Sequence, residues 1–226
     1  KPAAVELIDS MIIRQATDNL EYSRQMAFVQ GDPEALLLVE FVGDSDIEVE
    51  SKLDVLDAKN LGYATTRVSD PREQASVWAV RKAGLGLMMN VTGPEKPLAF
   101  VEDTAVAPER LPEYVRRFDE IVKANGTTAG YYGHASVGCL HIRPLIDLKR
   151  VDGVERMASI TSQISDLVLE FGGSMSGEHG DGLARSVLNE KMFGPVIYDA
   201  FRRVKGAFDP HGIMNPGKIV DAPPMT

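Results

Sequence analysis

Four side chains that can bind a metal ion or transfer a proton lie in two short stretches of the sequence. His134 and His141 are seven residues apart in YYGHASVGCLHIRP, and Glu178 and His179 are adjacent in SGEHGDG. Two histidines and a carboxylate, with coordination positions left open for water or substrate, are a common catalytic metal site. We therefore predict a metal site formed by His134, His141 and Glu178.

The two histidines can share such a site only if the chain turns between them. If Val137 and Gly138 form a two-residue turn between two strands, His134 lies opposite His141 with Cβ atoms about 5 Å apart. On one uninterrupted strand their odd separation would place them on opposite faces. Cys139 is a competing ligand on the same face as His141, although a thiolate is more typical of a closed structural site.

Structural roles for these residues are equally compatible with their types and spacing. Neutral histidines also satisfy hydrogen bonds in protein cores, and glycine-rich acidic stretches such as SGEHGDG are often solvent-exposed turns. Arg81, near the end of the predicted helix DPREQASVWAVRKAG, could bind a substrate carboxylate or interact with the helix dipole. The tail FDPHGIMNPGKIV carries Asn215 and Lys218 and is typical of a C-terminal loop.

Composition narrows the class of protein. The chain has 226 residues, a net charge of -9 and no basic stripe, which argues against a nucleic-acid-binding protein. The apolar stretch ALLLVEFV is far shorter than the roughly 20 residues of a membrane helix. The one cysteine fits a reducing compartment, so we expect a cytoplasmic protein that could lie at a membrane surface at full length. The chain begins without a methionine or signal sequence and resembles a piece of a longer protein.

Apolar periodicity and turn residues predict alternating strands and helices. In chain order the predicted elements are a helix in AAVELIDSMIIRQA, a strand at 35–43, a helix at 45–62, a strand in YATTRVS, a helix from Asp70 ended by Gly84 and Gly86, a strand in PLAFVEDTAVA, a helix in PERLPEYVRRFDEIVKANG, a hairpin of 128–134 with 139–143, and a helix in DGVERMASITSQISDLVLEFGG. This order predicts an α+β, ferredoxin-like fold, in which antiparallel sheet layers are covered by helices.

Five motifs in this order carry a family resemblance: VRKAG, FVEDTAV, GHASVGCLHIRP, SGEHGDG and FDPHGIMNPGKIV. They resemble the C-terminal domain of FAD-linked 2-hydroxy acid oxidases and dehydrogenases, the group that includes glycolate oxidase, D-lactate dehydrogenase and D-2-hydroxyglutarate dehydrogenase. The resemblance spans nearly the whole chain, so we treat 1–226 as one such domain. RKAGLGLMMNVTGPEKPLAFVEDTAV is most similar to large bacterial members that continue into an iron-sulfur domain.

The resemblance implies a role for each matching position. His179 would be the catalytic histidine and Arg81 would bind the substrate carboxylate. The implied metal ligands are His134, His141 and Glu178, and the implied cofactor-binding residues are Asn215, Lys218 and His141. The implied cofactors are FAD, held mostly by an N-terminal domain that this chain lacks, a divalent metal such as zinc or manganese, and an iron-sulfur cluster elsewhere in the full-length protein.

The predicted function is oxidation of a D-2-hydroxy acid to a 2-oxo acid with hydride transfer to FAD, and we expect the isolated chain to be inactive. The alternatives are a metal-dependent hydrolase and a non-catalytic binding module. The predicted partners are a small 2-hydroxy acid and the protein's own N-terminal FAD domain. The hydroxyglutarate enzymes carry Thr and Lys where this chain has Leu85 and Val101, so the resemblance does not select one 2-hydroxy acid.

Overall fold

The computed structural model of the chain describes residues 1–226, which form two compact units. The first unit comprises 1–91 and 130–136, and the second comprises 92–129 and 137–226. Helices and antiparallel strands make up both units, so the predicted α+β class is confirmed. None of the helices combines the length and apolar character that crossing a membrane requires.

Strands and α-helices are interspersed along the whole chain. In chain order they are β1 (Ala4–Asp9), α1 (Ser10–Asp18), β2 (Ala35–Glu40), α2 (Asp46–Asp57), α3 (Pro71–Met89), β3 (Lys96–Pro97), β4 (Asp103–Ala105), α4 (Leu111–Ala124), β5 (Ala129–His134), β6 (Cys139–Ile146), α5 (Val151–Glu170), α6 (Gly182–Arg185) and α7 (Asn189–Phe208). Short 3-10 helices lie at Ser23–Phe28, Pro108–Arg110, Ala135–Val137 and Ser186–Leu188.

The first unit is built on β1, which pairs antiparallel with β2 on one side and with β5 on the other. In the second pairing Glu6 lies opposite His134. Helices α1 and α3 pack against each other, and their apolar side chains form one core with β1 and β5. The buried residues of this core are Ile8, Ile12, Ile13, Ala16, Met26, Val80, Leu87, Met88 and Tyr132.

The first predicted helix is wrong for its N-terminal half. Ala4–Asp9 is a strand, and the helix begins only at Ser10, where the Asp9 side chain accepts a hydrogen bond from Ile12 N at 3.1 Å. Ile8 at the end of the strand and Ile12 in the helix face the same core, so their spacing matches a helical stripe. Pairing with β2 over six residues is what makes the first half a strand.

Two further predictions in this unit need correction. The segment YATTRVS is not a strand, and its side chains bond to the backbone at 28–30: Tyr63 Oη donates to Gln30 O and Thr66 Oγ1 to Phe28 O. Helix α3 continues through Gly84 to Met89. A Cβ on Gly84 would lie 3.4 Å from Ile12 Cδ1, an ordinary van der Waals distance, so this part of α3 packs against α1.

The second unit has β6 as its central strand, with β4 and β3 both antiparallel to it. Every residue of β6 is buried, polar ones included. Helices α4 and α5 pack together, and Tyr114 makes edge-to-face contacts with Phe118 and Phe171 at centroid distances of 5.9 and 5.4 Å. This apolar packing holds β4 and β6, the two strands that carry the polar residues of the site.

Two predictions for the later part of the chain differ from the structure, and one long helix was not predicted. Of the strand predicted in PLAFVEDTAVA, only Asp103–Ala105 and the short β3 form, and α7 was not predicted. The strands β5 and β6 exist, but four residues separate His134 from Cys139, and three of them form a 3-10 helix. The two-residue turn is therefore wrong, and with it the register argument that placed His134 opposite His141.

Gly138 ends this connection in a conformation that excludes a side chain. Its φ is +74°, and a Cβ would lie 1.8 Å from Val106 O, because Gly138 O accepts a hydrogen bond from Val106 N at 3.0 Å. We expect Gly138→Ala to lower the free energy of unfolding by more than about 2 kcal/mol in urea titrations. Gly126→Ala is the matched control, since Gly126 has φ +71° with no atom within 4 Å and should lose only about 1 kcal/mol. Equal losses would contradict the steric argument.

Candidate functional site

Two adjacent buried carboxylates, Glu102 and Asp103, form the base of the site in the second unit. Asp103 is the first residue of β4 and pairs with His141 of β6, and Glu102 directly precedes the strand. Glu102 is 3% exposed and Asp103 is fully buried. A buried carboxylate is costly unless it accepts hydrogen bonds or meets positive charge, so the partners of these two residues explain their presence.

Asp103 holds the loop that carries Glu178 and His179. Its carboxylate accepts hydrogen bonds from the backbone N of Glu178 at 3.1 Å, from that of His179 at 2.7 Å and from Ser176 Oγ at 3.0 Å. Gly177 N donates to Asp103 O at 2.7 Å, and a Cβ at Gly177 would lie 2.7 Å from Cys139 Sγ. The glycine lets the loop backbone press onto β4 and β6, which fixes the directions of the two following side chains.

Glu102 contacts both imidazoles of the site. Its Oε1 lies 3.0 Å from His179 Nδ1, and its Oε2 lies 3.3 Å from His141 Nδ1. The two rings are stacked, with centroids 4.8 Å apart and planes inclined by 17°. Burial by itself would raise the pKa of Glu102, but the contact with His141, the charge of Arg143 and the contact with His179 hold it at about 2. Glu102 is therefore ionised and favours a proton on Nδ1 of each ring.

With Nδ1 of each ring directed at Glu102, the Nε2 atoms are directed at Glu178. Glu178 Oε1 lies 3.1 Å from His141 Nε2 and 3.5 Å from His179 Nε2. The side chains of Glu178 and His179 are partly exposed, whereas His141 is buried. Protein metal sites commonly use histidines whose second ring nitrogen meets a carboxylate; here His179 Nδ1 is within hydrogen-bond distance of Glu102, and His141 Nδ1 lies 3.3 Å from it.

These residues include a group whose donor atoms could hold a cation. One ligand atom from each of Asp103, His141, Glu178 and His179 lies within 4.8 Å of the others. The Asp103 carboxylate already accepts three hydrogen bonds from the loop, so the imidazole nitrogens and Glu178 are the better-placed donors. Nitrogen and oxygen donors of this kind suit zinc or manganese. The donor set therefore fits the predicted divalent metal.

Cys139 is a poor ligand in this setting. Burial and the negative charges of Asp103 and Glu178 raise the pKa of its thiol to about 12. Its Sγ donates to Asp103 Oδ1 at 3.6 Å, as a protonated thiol would. The competing prediction of a thiolate ligand thus has little support from the geometry.

Two arginines complete the polar surroundings of Glu102. Arg185 of α6 donates from Nη1 to Glu102 Oε1 at 3.3 Å and from Nη2 to Gly180 O at 2.5 Å. Arg143 of β6 has Nη2 at 3.6 Å from Glu102 Oε2. Both guanidinium groups are buried. Together they place two fixed positive charges beside one buried carboxylate.

The first unit contains the other two predicted site residues, His134 and Arg81, which both contact Glu6. Arg81 donates to Glu6 Oε2 from Nε at 2.9 Å and from Nη2 at 2.6 Å, and His134 Nδ1 lies 2.9 Å from Glu6 Oε1. Arg81 also lies over the ring of Tyr132, with Cζ 5.3 Å from the centroid. The roles of His134 as a metal ligand and of Arg81 as a carboxylate-binding residue stay predictions.

The tail of the second unit presents the predicted cofactor-binding residues from a series of turns. Asn215 is exposed with φ 45°, and Lys218 is half-buried and donates from its backbone N to Asn215 O at 3.3 Å. The tail is fastened to the unit by Ile219, whose N donates to Ser186 Oγ at 2.8 Å and whose O accepts from Asn189 Nδ2 at 3.0 Å. The two side chains are thus held on a fixed loop, and their role stays a prediction.

The structure brings His141, Glu178 and His179 together, but the sequence-based prediction overlooked four residues around them. These are Glu102, Asp103, Arg143 and Arg185. A signal for the first two exists in FVEDTAV, where two acidic residues interrupt a stretch predicted to be a buried strand. Arg143 follows His141 by two residues and so shares its face of the strand. Nothing local marks Arg185.

Comparison with known proteins agrees with the five motifs. Residues 1–219 match the family model described as FAD linked oxidases, C-terminal domain. The chain is 36% identical to D-2-hydroxyglutarate dehydrogenase of Pseudomonas putida over 97% of its length, and 30% identical to D-lactate dehydrogenase of Archaeoglobus fulgidus, also over 97%. It spans 23% of the first relative and 46% of the second.

A solved structure shows the same fold. The 4-ethylphenol oxidase from Gulosibacter chungangensis, in complex with isoeugenol, superposes with a TM-score of 0.62 over 97% of this chain and 48% of the oxidase chain. The two sequences are 13% identical, so this likeness concerns the fold alone. The match over residues 1–219 identifies the chain as a member of the family of FAD linked oxidases, C-terminal domain.

Proposed function

We propose that this chain is the substrate-binding part of a flavin-dependent dehydrogenase that oxidises a D-2-hydroxy acid to a 2-oxo acid. The observation that carries the proposal is the cluster of His141, Glu178 and His179 around Glu102 in a chain of this family. The relatives named for D-2-hydroxyglutarate and D-lactate support the substrate class. Because the chain spans only part of each, the proposal places most of the FAD site in the remaining polypeptide.

His179 is the proposed base for the substrate hydroxyl. Its Nδ1 lies 3.0 Å from the ionised Glu102, which leaves Nε2 as the nitrogen that can accept a proton. When Nε2 takes the hydroxyl proton, the carboxylate of Glu102 stabilises the imidazolium that results. FAD would supply the acceptor for the C2 hydrogen and its two electrons, so that the substrate, with its hydroxyl proton on His179, becomes the 2-oxo acid.

His141 and Glu178 would hold the divalent metal, with His134 as the third predicted ligand. Such an ion would supply Lewis-acid stabilisation of the developing alkoxide. Glu102 orients His141 through Nδ1, and Asp103 orients Glu178 through the loop backbone, so both donors are fixed before substrate binds. Asn215 and Lys218 on the tail are proposed to contact the flavin, and Arg81 to contact the substrate carboxylate.

Of the clustered residues, Glu178 lines a cleft in the second unit, whereas His141 and His179 do not. A cleft of about 360 Å³ opens next to Glu178. Residues from the loop and from α7 line it, among them Ser174, Ser176, Asn189 and Phe193. A cleft of this volume suits a small organic acid.

The test is a substrate panel on the full-length, FAD-loaded protein. Glycolate, D-lactate and D-2-hydroxyglutarate are supplied with an artificial electron-accepting dye, and we expect reduction of the dye by at least one of them, with bleaching of the flavin when the dye is omitted. L-Lactate is the stereochemical control. Metal-dependent hydrolysis without flavin reduction would favour the hydrolase alternative, and a metal-free protein without either activity would favour the binding module.

A further inference from the structure

Arg143 lies beside Glu102 and His141 in the second unit. It follows His141 by two residues on β6, so both side chains extend from the same face of the strand. Both also approach the same oxygen, Glu102 Oε2, at 3.3 Å for His141 Nδ1 and 3.6 Å for Arg143 Nη2. The Arg143 side chain is 10% exposed.

The guanidinium of Arg143 lacks the hydrogen bonds that a buried guanidinium requires. Its Nε has no hydrogen-bond acceptor, and the 3.6 Å to Glu102 is longer than a hydrogen bond. Arg185 also leaves Nε without an acceptor, but two of its other donors are engaged. Arg81 donates twice to Glu6. Among these three buried arginines, Arg143 makes the fewest hydrogen bonds and so has the most donors left for an anion.

The charges around Glu102 lead to the same conclusion. One carboxylate faces two guanidinium groups and two imidazoles, and its Oε1 already accepts from His179 and Arg185. Its Oε2, the oxygen nearest to Arg143, lies 3.6 Å from Nη2 and makes no hydrogen bond, so the two groups are held apart at more than hydrogen-bond distance. A buried positive charge without full compensation is costly, and an anionic ligand would remove that cost.

We propose that Arg143 binds the carboxylate attached to the reacting carbon of the 2-hydroxy acid. This inference rests on the proposed function, and it adds Arg143 of the second unit to Arg81, the residue that the proposed function already assigns to the substrate carboxylate. Arginine binds carboxylates through charge-assisted and often paired hydrogen bonds, which orient a planar group as well as attract it. Held in this way, the substrate would present its hydroxyl to residues beside His141.

The test compares each 2-hydroxy acid with its 1-amide, which lacks the negative charge, in the full-length, FAD-loaded protein. For Arg143→Met we expect KM for the acid to rise about 10- to 100-fold with little change in kcat, because a binding contact common to ground and transition states is lost. The ratio of kcat/KM for acid over amide should fall by a similar factor. Arg143→Lys keeps the positive charge, so its KM for the acid and its ratio of acid to amide should lie between those of Arg143→Met and the wild type.

Arg185→Lys is the matched control, since Arg185 is buried in the same site but bonded to Glu102 and Gly180. We expect it to leave the ratio of acid to amide unchanged. If Arg143→Met lowers kcat or metal content while that ratio stays at the wild-type value, Arg143 is only a counter-ion of Glu102 and the inference is wrong. If Arg143→Met does not fold, Arg143→Lys is used instead. A wild-type KM for the acid and a wild-type ratio of acid to amide in Arg143→Lys would then show that the inference is wrong. Absence of turnover by the wild-type protein with every acid instead overturns the proposed function.

Discussion

Replacing His179 by alanine in the full-length, FAD-loaded protein is expected to lower kcat about 100-fold or more while the metal content stays at the wild-type level. The physical reason is the contact of His179 Nδ1 with the ionised Glu102, which leaves Nε2 to accept the substrate proton. Steady-state rates with the preferred 2-hydroxy acid and elemental analysis of the purified variant measure the two quantities.

His141→Ala and His134→Ala are the control variants for His179→Ala. Because His141 and His134 are predicted metal ligands, metal affinity should fall by about 10- to 100-fold or more in both variants, and activity should fall with it. His179 belongs to the same group of potential donors, all within 4.8 Å, so a ligand role is a real alternative. If His179→Ala loses as much metal as His141→Ala, His179 is a metal ligand. If His179→Ala keeps full activity, His179 has no part in catalysis.

Asp103→Ala should be the most disruptive single change in the site. It removes the acceptor of two backbone N–H groups and of Ser176 Oγ, and unsatisfied buried donors cost about 1–3 kcal/mol each. We expect the free energy of unfolding to fall by about 2–5 kcal/mol. Metal binding and kcat should fall as well, because Glu178 and His179 lose their orientation. Urea unfolding, metal analysis and steady-state rates test the three effects.

Asp181→Ala serves as the control for Asp103→Ala, because Asp181 is an acidic residue of the same loop whose only hydrogen bond runs from its backbone O to Arg185 N. Its replacement should change the free energy of unfolding by less than about 0.5 kcal/mol. Comparable losses in both variants would mean that loss of negative charge, and not loss of the loop's anchor, explains the effect.

The elements that local sequence predicted well are those whose ends are set by neighbouring residues. Helix α3 begins where predicted, because Asp70 accepts from Arg72 N and Glu73 N and Pro71 fits the first turn. The end of α3 was predicted too early, at Gly84 and Gly86. Packing of Gly84 against Ile12 and Tyr132 outweighs the low helix propensity of glycine. The strand predicted at YATTRVS failed for the opposite reason, since no strand pairs with it.

By itself, the sequence determined the motifs, their order and the residue types able to do the chemistry, including Glu178 and His179 in their glycine-rich loop. Only the tertiary structure decided which partners orient them. Glu102 reaches His179 across 77 positions of the chain, and Asp103 holds the backbone of the same loop across 75 and 76 positions. Such contacts depend on how β4, β6 and the loop pack, and no local spacing in the sequence records that packing.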